Sequence, residues 1–178
     1  MVTDVFFDFF GTLVDYNPSV HPAYNAPLAF ARRAGRGHLR CRVLRALAGS
    51  LGPARSPCGE HRTRVPDARC GATVLALDRV SPAAHALECV TDLAGDHRLT
   101  IVTNTHDPGL VPGLVQRFGL DSAVGRVVPS VAVGWRKPHP AIFEAALRDR
   151  GAVAGDTVFV GDSWEADVEG PRRIGMRR

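Results

Sequence analysis

The sequence has no apolar run close to the roughly 20 residues that a membrane-spanning helix needs. Its amino terminus has no basic residue before the first apolar stretch, and Asp4 and Asp8 interrupt that stretch, so it does not resemble a secretory signal. The four cysteines are scattered without a CxxC pair, which argues against a metal finger or a disulfide framework. We therefore expect a cytoplasmic protein with no membrane partner.

The charge of the chain is unevenly distributed. The segment 32–70 contains ten arginines against only Glu60 and Asp67, although the net charge of the whole chain is +4. Such a block could attract nucleic acid or an anionic small molecule. It has no aromatic residues for base stacking and no known nucleic-acid-binding motif. We therefore expect a solvated basic insert and no nucleic-acid partner.

Outside this block, short apolar runs alternate with segments of helical periodicity. These patterns predict strands at 4–8, 99–103, 126–128 and 157–161, and helices at 83–94, 108–118, 139–150 and 164–173. Ser81 and Pro82 are interpreted as the cap and first-turn proline of the helix at 83–94. Strands that alternate with helices predict an α/β fold, with a Rossmann-like parallel sheet and helices on both faces.

The stretch 35–80 differs from the rest of the chain. It is rich in arginine, proline, glycine and cysteine, and it has little hydrophobic periodicity beyond a possible helix near 39–48. We predict a core formed by residues 1–15 and 81–178, with residues 16–80 as a small, poorly defined insert.

Two carboxylates are predicted to meet at the carboxyl edge of the sheet, where ligands bind in open α/β folds. Asp8 ends the first predicted strand and Asp162 follows the last one. Their charges would repel unless a cation lay between them, and a hard ion such as Mg²⁺ prefers oxygen ligands. Asp167, about one helical turn beyond Asp162, could support this metal site without binding the ion.

The same edge carries candidate donors for an anion. Lys137 is the only lysine in the chain, and its ammonium could neutralise a nucleophilic carboxylate or a phosphate oxygen. Thr103 and Asn104 offer a hydroxyl and an amide to such an anion. Gly11 lets backbone N–H groups approach the same anion closely. A nucleophile, a metal and such donors are what displacement at phosphorus needs.

Four segments, in this order, resemble the signature motifs of the haloacid dehalogenase-like superfamily. They are FFDFFGTL at 6–13, IVTNT at 101–105, the lysine of GWRKPHPAIFEAAL, and VFVGDSWEAD at 158–167. The resemblance implies a haloacid dehalogenase-like core, with a cap inserted between the first two motifs that closes over the substrate. It further implies a hydrolase that acts on a small phosphorylated molecule.

The resemblance also implies a role for each motif residue. Asp8 would attack the substrate and form an aspartyl intermediate, and Asp8, Asp162 and the backbone carbonyl of Phe10 would bind Mg²⁺. The remaining assignments are Thr103 and Lys137 to catalysis, Gly11, Thr12 and Asn104 to substrate binding, and Asp167 to support of the metal site.

One position departs from the family pattern. Phosphatases of the family usually carry an aspartate two residues after the nucleophile as general acid and base, and here that residue is Phe10. General acid–base help is typically worth about 10²–10⁴-fold in rate, so we expect slow turnover. Two alternatives stay open: a 2-haloacid dehalogenase, because halide leaves without a proton, and a catalytically silent binding protein on the same scaffold.

The carboxyl-terminal sequence also departs from the family. The family usually supplies another strand after Ile174-Gly175-Met176, so we expect the last sheet edge to be poorly covered. The sequence leaves the oligomeric state and the identity of the substrate open.

Overall fold

The computed structural model describes residues 1–16 and 80–177. The prediction of an irregular insert with a possible helix near 39–48 falls on residues 17–79, outside the described residues. The described strands are β1 (Asp4–Phe7), β2 (Val14–Tyr16), β3 (Val80–Pro82), β4 (Arg98–Thr103), β5 (Val124–Pro129) and β6 (Thr157–Val160). The described α-helices are α1 (Ala86–Ala94), α2 (Leu110–Arg117), α3 (Ser130–Val133), α4 (Pro140–Arg150) and α5 (Gly170–Arg173).

Four strands form a parallel sheet in the order β5-β4-β1-β6. β1 lies in the middle, and all four of its residues are buried because helices cover both of its faces. Parallel strands covered on both faces are expected to be continuously apolar, as the sequence VFF at 5–7 is. The structure confirms the predicted α/β class and the parallel sheet.

The core has two layers, one on each face of the sheet. Val5 and Phe7 point to the layer that contains the buried residues of α1 and α2, because side chains alternate along a strand. Phe6 points to the opposite layer, where it packs with Ile142 and Phe143 of α4. Helices on both faces bury the sheet and fix its carboxyl edge as the open end.

The predicted helix at 83–94 begins three residues late, and its predicted cap is wrong. Ser81 and Pro82 belong to β3, which pairs antiparallel with β2 and opposes Pro82 to Val14. The helix α1 starts only after His85, whose φ of 64° turns the chain. Pairing with β2 therefore overrides the local cap signal of Ser-Pro.

Two other helices also differ from their predicted bounds. α2 begins after Pro108, and the Asp107 side chain accepts hydrogen bonds from the N–H groups of Gly109 and Leu110. The helix predicted at 164–173 is divided into a wide π-helical turn (Trp164–Glu169) and the short helix α5. Pro171 in the first turn of α5 has no N–H, which suits a new helix start rather than a continuation.

The outer edge of β6 is partly covered. Arg177 forms a parallel bridge with Val158: its N–H donates to Thr157 (2.8 Å), and its carbonyl accepts from Phe159 (3.2 Å). One bridge with two hydrogen bonds therefore covers part of the sheet edge that the sequence predicted to be poorly covered. Across residues 1–16 and 80–177, the helices are all too short or too polar to cross a membrane.

Candidate active site

Asp8 lies immediately after β1 at the carboxyl edge of the sheet. Its N–H donates to the carbonyl of Val160 at the end of β6 (2.8 Å), so the backbone of the central strand fixes the start of the side chain. The residue is 8% exposed. A carboxylate held here is shielded from water yet open to the crevice in which α/β proteins bind ligands.

Lys137 contacts two carboxylates at once. Its Nζ donates to Oδ1 of Asp8 and to Oδ1 of Asp167, both at 2.7 Å. Burial lowers the pKa of Lys137, but the charges of Asp167 and Asp8 outweigh burial and raise the pKa above its ordinary value. The ammonium therefore stays protonated and balances part of the negative charge at Asp8.

Asp167 is buried beside this ammonium and uses both oxygens. Oδ1 accepts from Lys137, and Oδ2 accepts from the N–H of Ser163 (3.0 Å). Burial raises the pKa of Asp167 to about 7 against the opposing effect of Lys137, and the charge of Asp8 adds to the rise. A Cβ on Gly161 would collide with the Asp167 side chain, so glycine is needed for this approach.

Three carboxylates converge at the site. Oxygens of Asp8, Asp162 and Asp167 all lie within 4.8 Å of one another, and Asp162 is the exposed member of the group. The Asp162 carboxylate lies against Gly11, where a Cβ would overlap it. Three acids against the single ammonium of Lys137 leave an excess of negative charge, and a divalent cation with oxygen ligands suits that excess.

Two threonine hydroxyls near the site have no hydrogen-bond partner among the described residues. They are Oγ1 of Thr103, which is completely buried at the end of β4, and Oγ1 of Thr12 in the turn after β1. A buried hydroxyl without a partner costs free energy. Thr103 and Thr12 therefore keep donors that a ligand could use.

Asn104 and Gly11 are hydrogen-bonded within the protein. The Asn104 amide donates from Nδ2 to the carbonyl of Lys137 (3.1 Å) and accepts on Oδ1 from the Lys137 N–H (2.8 Å). Gly11 has φ of 83°, and its N–H donates to Val14 (2.8 Å). The expected anion-binding N–H of Gly11 is thus engaged in its own turn, whereas the close approach to Asp162 needs glycine.

Phe10 offers no acidic group to the site. The ring is partly exposed, packs on the core below the sheet edge and meets Phe9 edge to face, with 5.1 Å between ring centroids. Its predicted role as a metal ligand concerns the backbone carbonyl, which the side chain does not change.

Sequence reasoning missed the contacts that join the loop after β4 to the segment after β5. The Ser130 hydroxyl donates to the carbonyl of Thr105 (2.9 Å) and accepts from its N–H (3.0 Å). Next to this pair, Arg136 contacts Nε2 of His106 (3.0 Å). His139 caps α4 and stacks on Trp135, with 3.9 Å between ring centroids. No local pattern encodes the contacts of Ser130 and Arg136, because each depends on a residue in another loop.

Fold and site together define an α/β protein of the Rossmann-like class, with a carboxylate and ammonium centre at the carboxyl edge of its sheet. The chain belongs to the haloacid dehalogenase-like hydrolases, whose family model matches residues 5–175. The resemblance inferred from the four motifs is thereby confirmed.

Several curated relatives carry the names of phosphatases. A phosphoglycolate phosphatase of Xylella fastidiosa is 28% identical over 97% of this chain and 76% of its own length. Human haloacid dehalogenase-like hydrolase domain-containing protein 3 is 38% identical, but the match spans only 44% of this chain and 31% of that protein. A glyceraldehyde 3-phosphate phosphatase of Methanopyrus kandleri is 38% identical over 34% of this chain and 26% of its own length. For the latter two, this chain therefore covers less than a third of the relative.

Solved structures share the fold over nearly the whole chain. A HAD phosphatase from Thermococcus onnurineus superposes with a TM-score of 0.65 at 20% identity, covering 98% of this chain and 84% of that one. The L-2-haloacid dehalogenase of Xanthobacter autotrophicus gives 0.63 at 21% identity, covering 99% and 76%. At these identities the likeness concerns the fold and does not distinguish a phosphatase from a dehalogenase.

Proposed function

We propose that this protein is a magnesium-dependent phosphatase that hydrolyses a small phosphorylated molecule through an aspartyl-phosphate on Asp8. The observation that carries the proposal is the contact of one buried ammonium, Lys137 Nζ, with both Asp8 and Asp167 at 2.7 Å. A carboxylate held in this way is oriented, as a nucleophile must be. The phosphatase names of several relatives point the same way.

The proposed reaction has two steps. A carboxylate oxygen of Asp8 attacks phosphorus, and the bond from phosphorus to the leaving oxygen of the substrate breaks. The leaving oxygen takes its proton from water, because Phe10 offers none. Water then attacks the phosphorus of phospho-Asp8, which releases phosphate and restores the carboxylate. Lys137 balances charge throughout. The Thr103 hydroxyl, which has no partner within residues 1–16 and 80–177, donates to a phosphoryl oxygen where negative charge accumulates.

The residues at the site fit a magnesium ion. Asp8, Asp162 and the backbone carbonyl of Phe10 would hold it, and Asp167 would support the site from its contacts with Lys137 and Ser163. A bound Mg²⁺ would supply positive charge to the phosphoryl oxygens during transfer. The fit rests on the donor set, because three close carboxylates exceed the charge of the one ammonium beside them.

We further propose that Gly11 and Thr12 contact the substrate and that residues 16–80 form the cap. Gly11 lies against the Asp162 carboxylate, and Thr12 has a buried hydroxyl without a partner among the described residues. Asn104 retains one N–H of its amide for substrate, since only one of its two donors is used on Lys137. The expected partner is therefore a small phosphate ester.

A second candidate function is hydrolysis of a 2-haloacid, and Phe10 is the observation that favours it. Halide needs no proton to leave, so a nucleophile without a neighbouring acid suffices. Halide release that is unaffected by a chelator would support this candidate, whereas strict dependence on magnesium would exclude it. A catalytically silent binding protein is the third candidate, and it predicts neither activity.

The test of the phosphatase proposal is the Asp8→Asn variant, which keeps the shape of the side chain and removes its charge. Magnesium-dependent release of phosphate from an aryl phosphate should fall to background in this variant. Asp149→Asn is the matched control, because Asp149 is an exposed carboxylate paired with Arg126 at 3.5 Å. If Asp8→Asn keeps the activity, Asp8 is not the nucleophile.

A further inference from the structure

Arg136 presents an arginine charge that no carboxylate balances among the described residues. Its side chain is partly buried, and its contact there is the His106 imidazole, with 3.0 Å from Nη1 to Nε2. Partial burial lowers the pKa of Arg136, because removal of a charge from water is unfavourable. Other arginines in the described residues differ from Arg136, because they pair with carboxylates. Examples are Arg98 with Asp4 and Arg126 with Asp149.

The contact with His106 does not compensate the charge of Arg136. A guanidinium has five N–H donors and no acceptor, so Nε2 of His106 must accept and the imidazole must be neutral in this contact. One donor is used in this way. The remaining donors keep the planar geometry that suits a carboxylate or a phosphate.

Arg136 and His106 lie at the catalytic edge of the sheet. His106 follows the residues that end β4, and Arg136 immediately precedes Lys137, whose Nζ is 2.7 Å from Asp8. Consecutive Cα atoms are about 3.8 Å apart, so the Arg136 side chain originates next to that of the ammonium donor. The Asn104 amide further fixes the backbone at Lys137.

We infer that the pair Arg136–His106 is a second anion subsite, which binds a negatively charged group at the far end of the substrate. This inference rests on the proposed phosphatase function and narrows its substrate class. The substrate is then a small organic phosphate that carries a second anionic group, a carboxylate or a phosphate. His106 orients the guanidinium, and Arg136 supplies the charge-assisted hydrogen bonds.

The test uses binding, so that it does not depend on turnover. Three ligands with the same alkyl chain are compared on the full-length protein with Mg²⁺: a phosphonate with a terminal carboxylate, a bisphosphonate, and a phosphonate with a neutral terminal carboxamide. For the two ligands with an anionic terminal group, calorimetry should give a Kd about tenfold lower than for the carboxamide, as expected for a charge-assisted hydrogen bond.

Substitution of Arg136 then locates the preference. Arg136→Gln should reduce the ratio of the carboxamide Kd to the carboxylate Kd to about one. Arg136→Lys should keep part of this ratio, because lysine has the positive charge of arginine without its planar fork of donors. Arg126→Gln is the matched control, because this exposed arginine is paired with Asp149, and it should keep the ratio of the unsubstituted protein.

The outcomes separate this inference from the phosphatase proposal. Equal affinity for all three ligands, or a preference that survives Arg136→Gln, overturns the subsite. If aryl phosphate is hydrolysed while the three ligands bind equally, the phosphatase proposal holds and the subsite is wrong. If no phosphate is released but the Arg136-dependent preference is present, the subsite holds and the phosphatase proposal fails. Binding of none of the ligands overturns the subsite, whereas the phosphatase proposal is judged by phosphate release alone.

Discussion

The side-chain amide of Asn104 pairs with the backbone of Lys137 on both sides of its Cα. Nδ2 donates to the Lys137 carbonyl at 3.1 Å, and Oδ1 accepts from the Lys137 N–H at 2.8 Å. Two hydrogen bonds fix the backbone position from which the Lys137 side chain extends to Asp8 and Asp167. Asn104, which follows β4, thereby positions the Lys137 ammonium that contacts Asp8 after β1.

Loss of this pair should reduce turnover more than substrate binding. Asn104→Ala removes both hydrogen bonds, so Lys137 samples positions in which its ammonium no longer faces Asp8. We expect kcat to fall by about tenfold or more, since small errors of position are costly in catalysis, with a smaller change in KM. Steady-state kinetics with an aryl phosphate measures both constants.

Asn104→Asp is the informative companion of this variant. It keeps the acceptor for the Lys137 N–H but replaces the donor with a second acceptor opposite the Lys137 carbonyl. Its kcat should also fall. Ser122→Ala should behave like the unsubstituted protein, because Ser122 is exposed and its hydroxyl contacts only the Gly119 carbonyl among the described residues. An effect of Asn104→Ala confined to KM would instead assign Asn104 to substrate binding alone.

An acid at position 10 should increase the rate of hydrolysis. Phe10 is partly exposed, lies two residues after Asp8 and carries no proton donor. In Phe10→Asp the new carboxyl could protonate the leaving oxygen and later activate water, a contribution of about 10²-fold or more. The Phe10→Asn side chain has nearly the same size as that of Phe10→Asp but no acid, so it should give no such gain in rate. Equal rates for both variants would mean that the site lacks more than a proton donor.

A methyl group on Gly11 should weaken magnesium binding. Gly11 has φ of 83°, which costs roughly 1–2 kcal/mol for other residues, and its added Cβ would displace the Asp162 carboxylate. Gly119→Ala is the matched control, because Gly119 has φ of 69° and open space around its Cβ position. Both variants should lose stability, but calorimetry should detect weaker Mg²⁺ binding only in Gly11→Ala. Equal Mg²⁺ affinities would exclude Asp162 from the metal site.

The metal-free protein should lose stability as the pH rises from about 4 to about 7. Burial raises the pKa of Asp167 from 3.8 to about 7, so the folded state binds this proton more tightly than the unfolded state does. The stabilising contribution is complete below the unfolded pKa and disappears as the pH passes the folded one.

Asp167→Asn removes this titration and should flatten that part of the profile, whereas Asp149→Asn should leave it unchanged. Urea unfolding in chelator across this pH range gives the free energies. If the unsubstituted protein and Asp167→Asn have parallel profiles, the proton is not taken up at Asp167.

The sequence predicts the sheet and the strand-end residues well, because buried strands and polar strand ends leave local patterns. Continuous apolar residues identify β1 and β6, and the polar residues that follow them are brought together at one edge. The short pair β2–β3 could not be predicted in this way. Each strand has three residues, β3 contains Ser81 and Pro82, and the pairing joins parts of the chain that are remote in sequence.

The contacts that position the site are also absent from local patterns. Asn104 is a polar residue that follows a strand. From sequence alone, its side chain could contact a ligand or the backbone of Lys137. Which one occurs depends on where the loop after β5 lies, and that is set by packing of the core. The same holds for Arg136, since its lack of an acidic partner in the described part of the chain is a property of the folded surroundings.

The antiparallel pairing of Tyr16 with Val80 has a consequence for the variety of sequences that this scaffold can accept. The chain leaves the core and re-enters it on neighbouring strands, whose backbones lie about 5 Å apart. A graft of almost any length between these two points therefore leaves the sheet undistorted. If the proposed cap at residues 16–80 is correct, that segment can be exchanged while the carboxylate and ammonium centre of Asp8 and Lys137 stays the same.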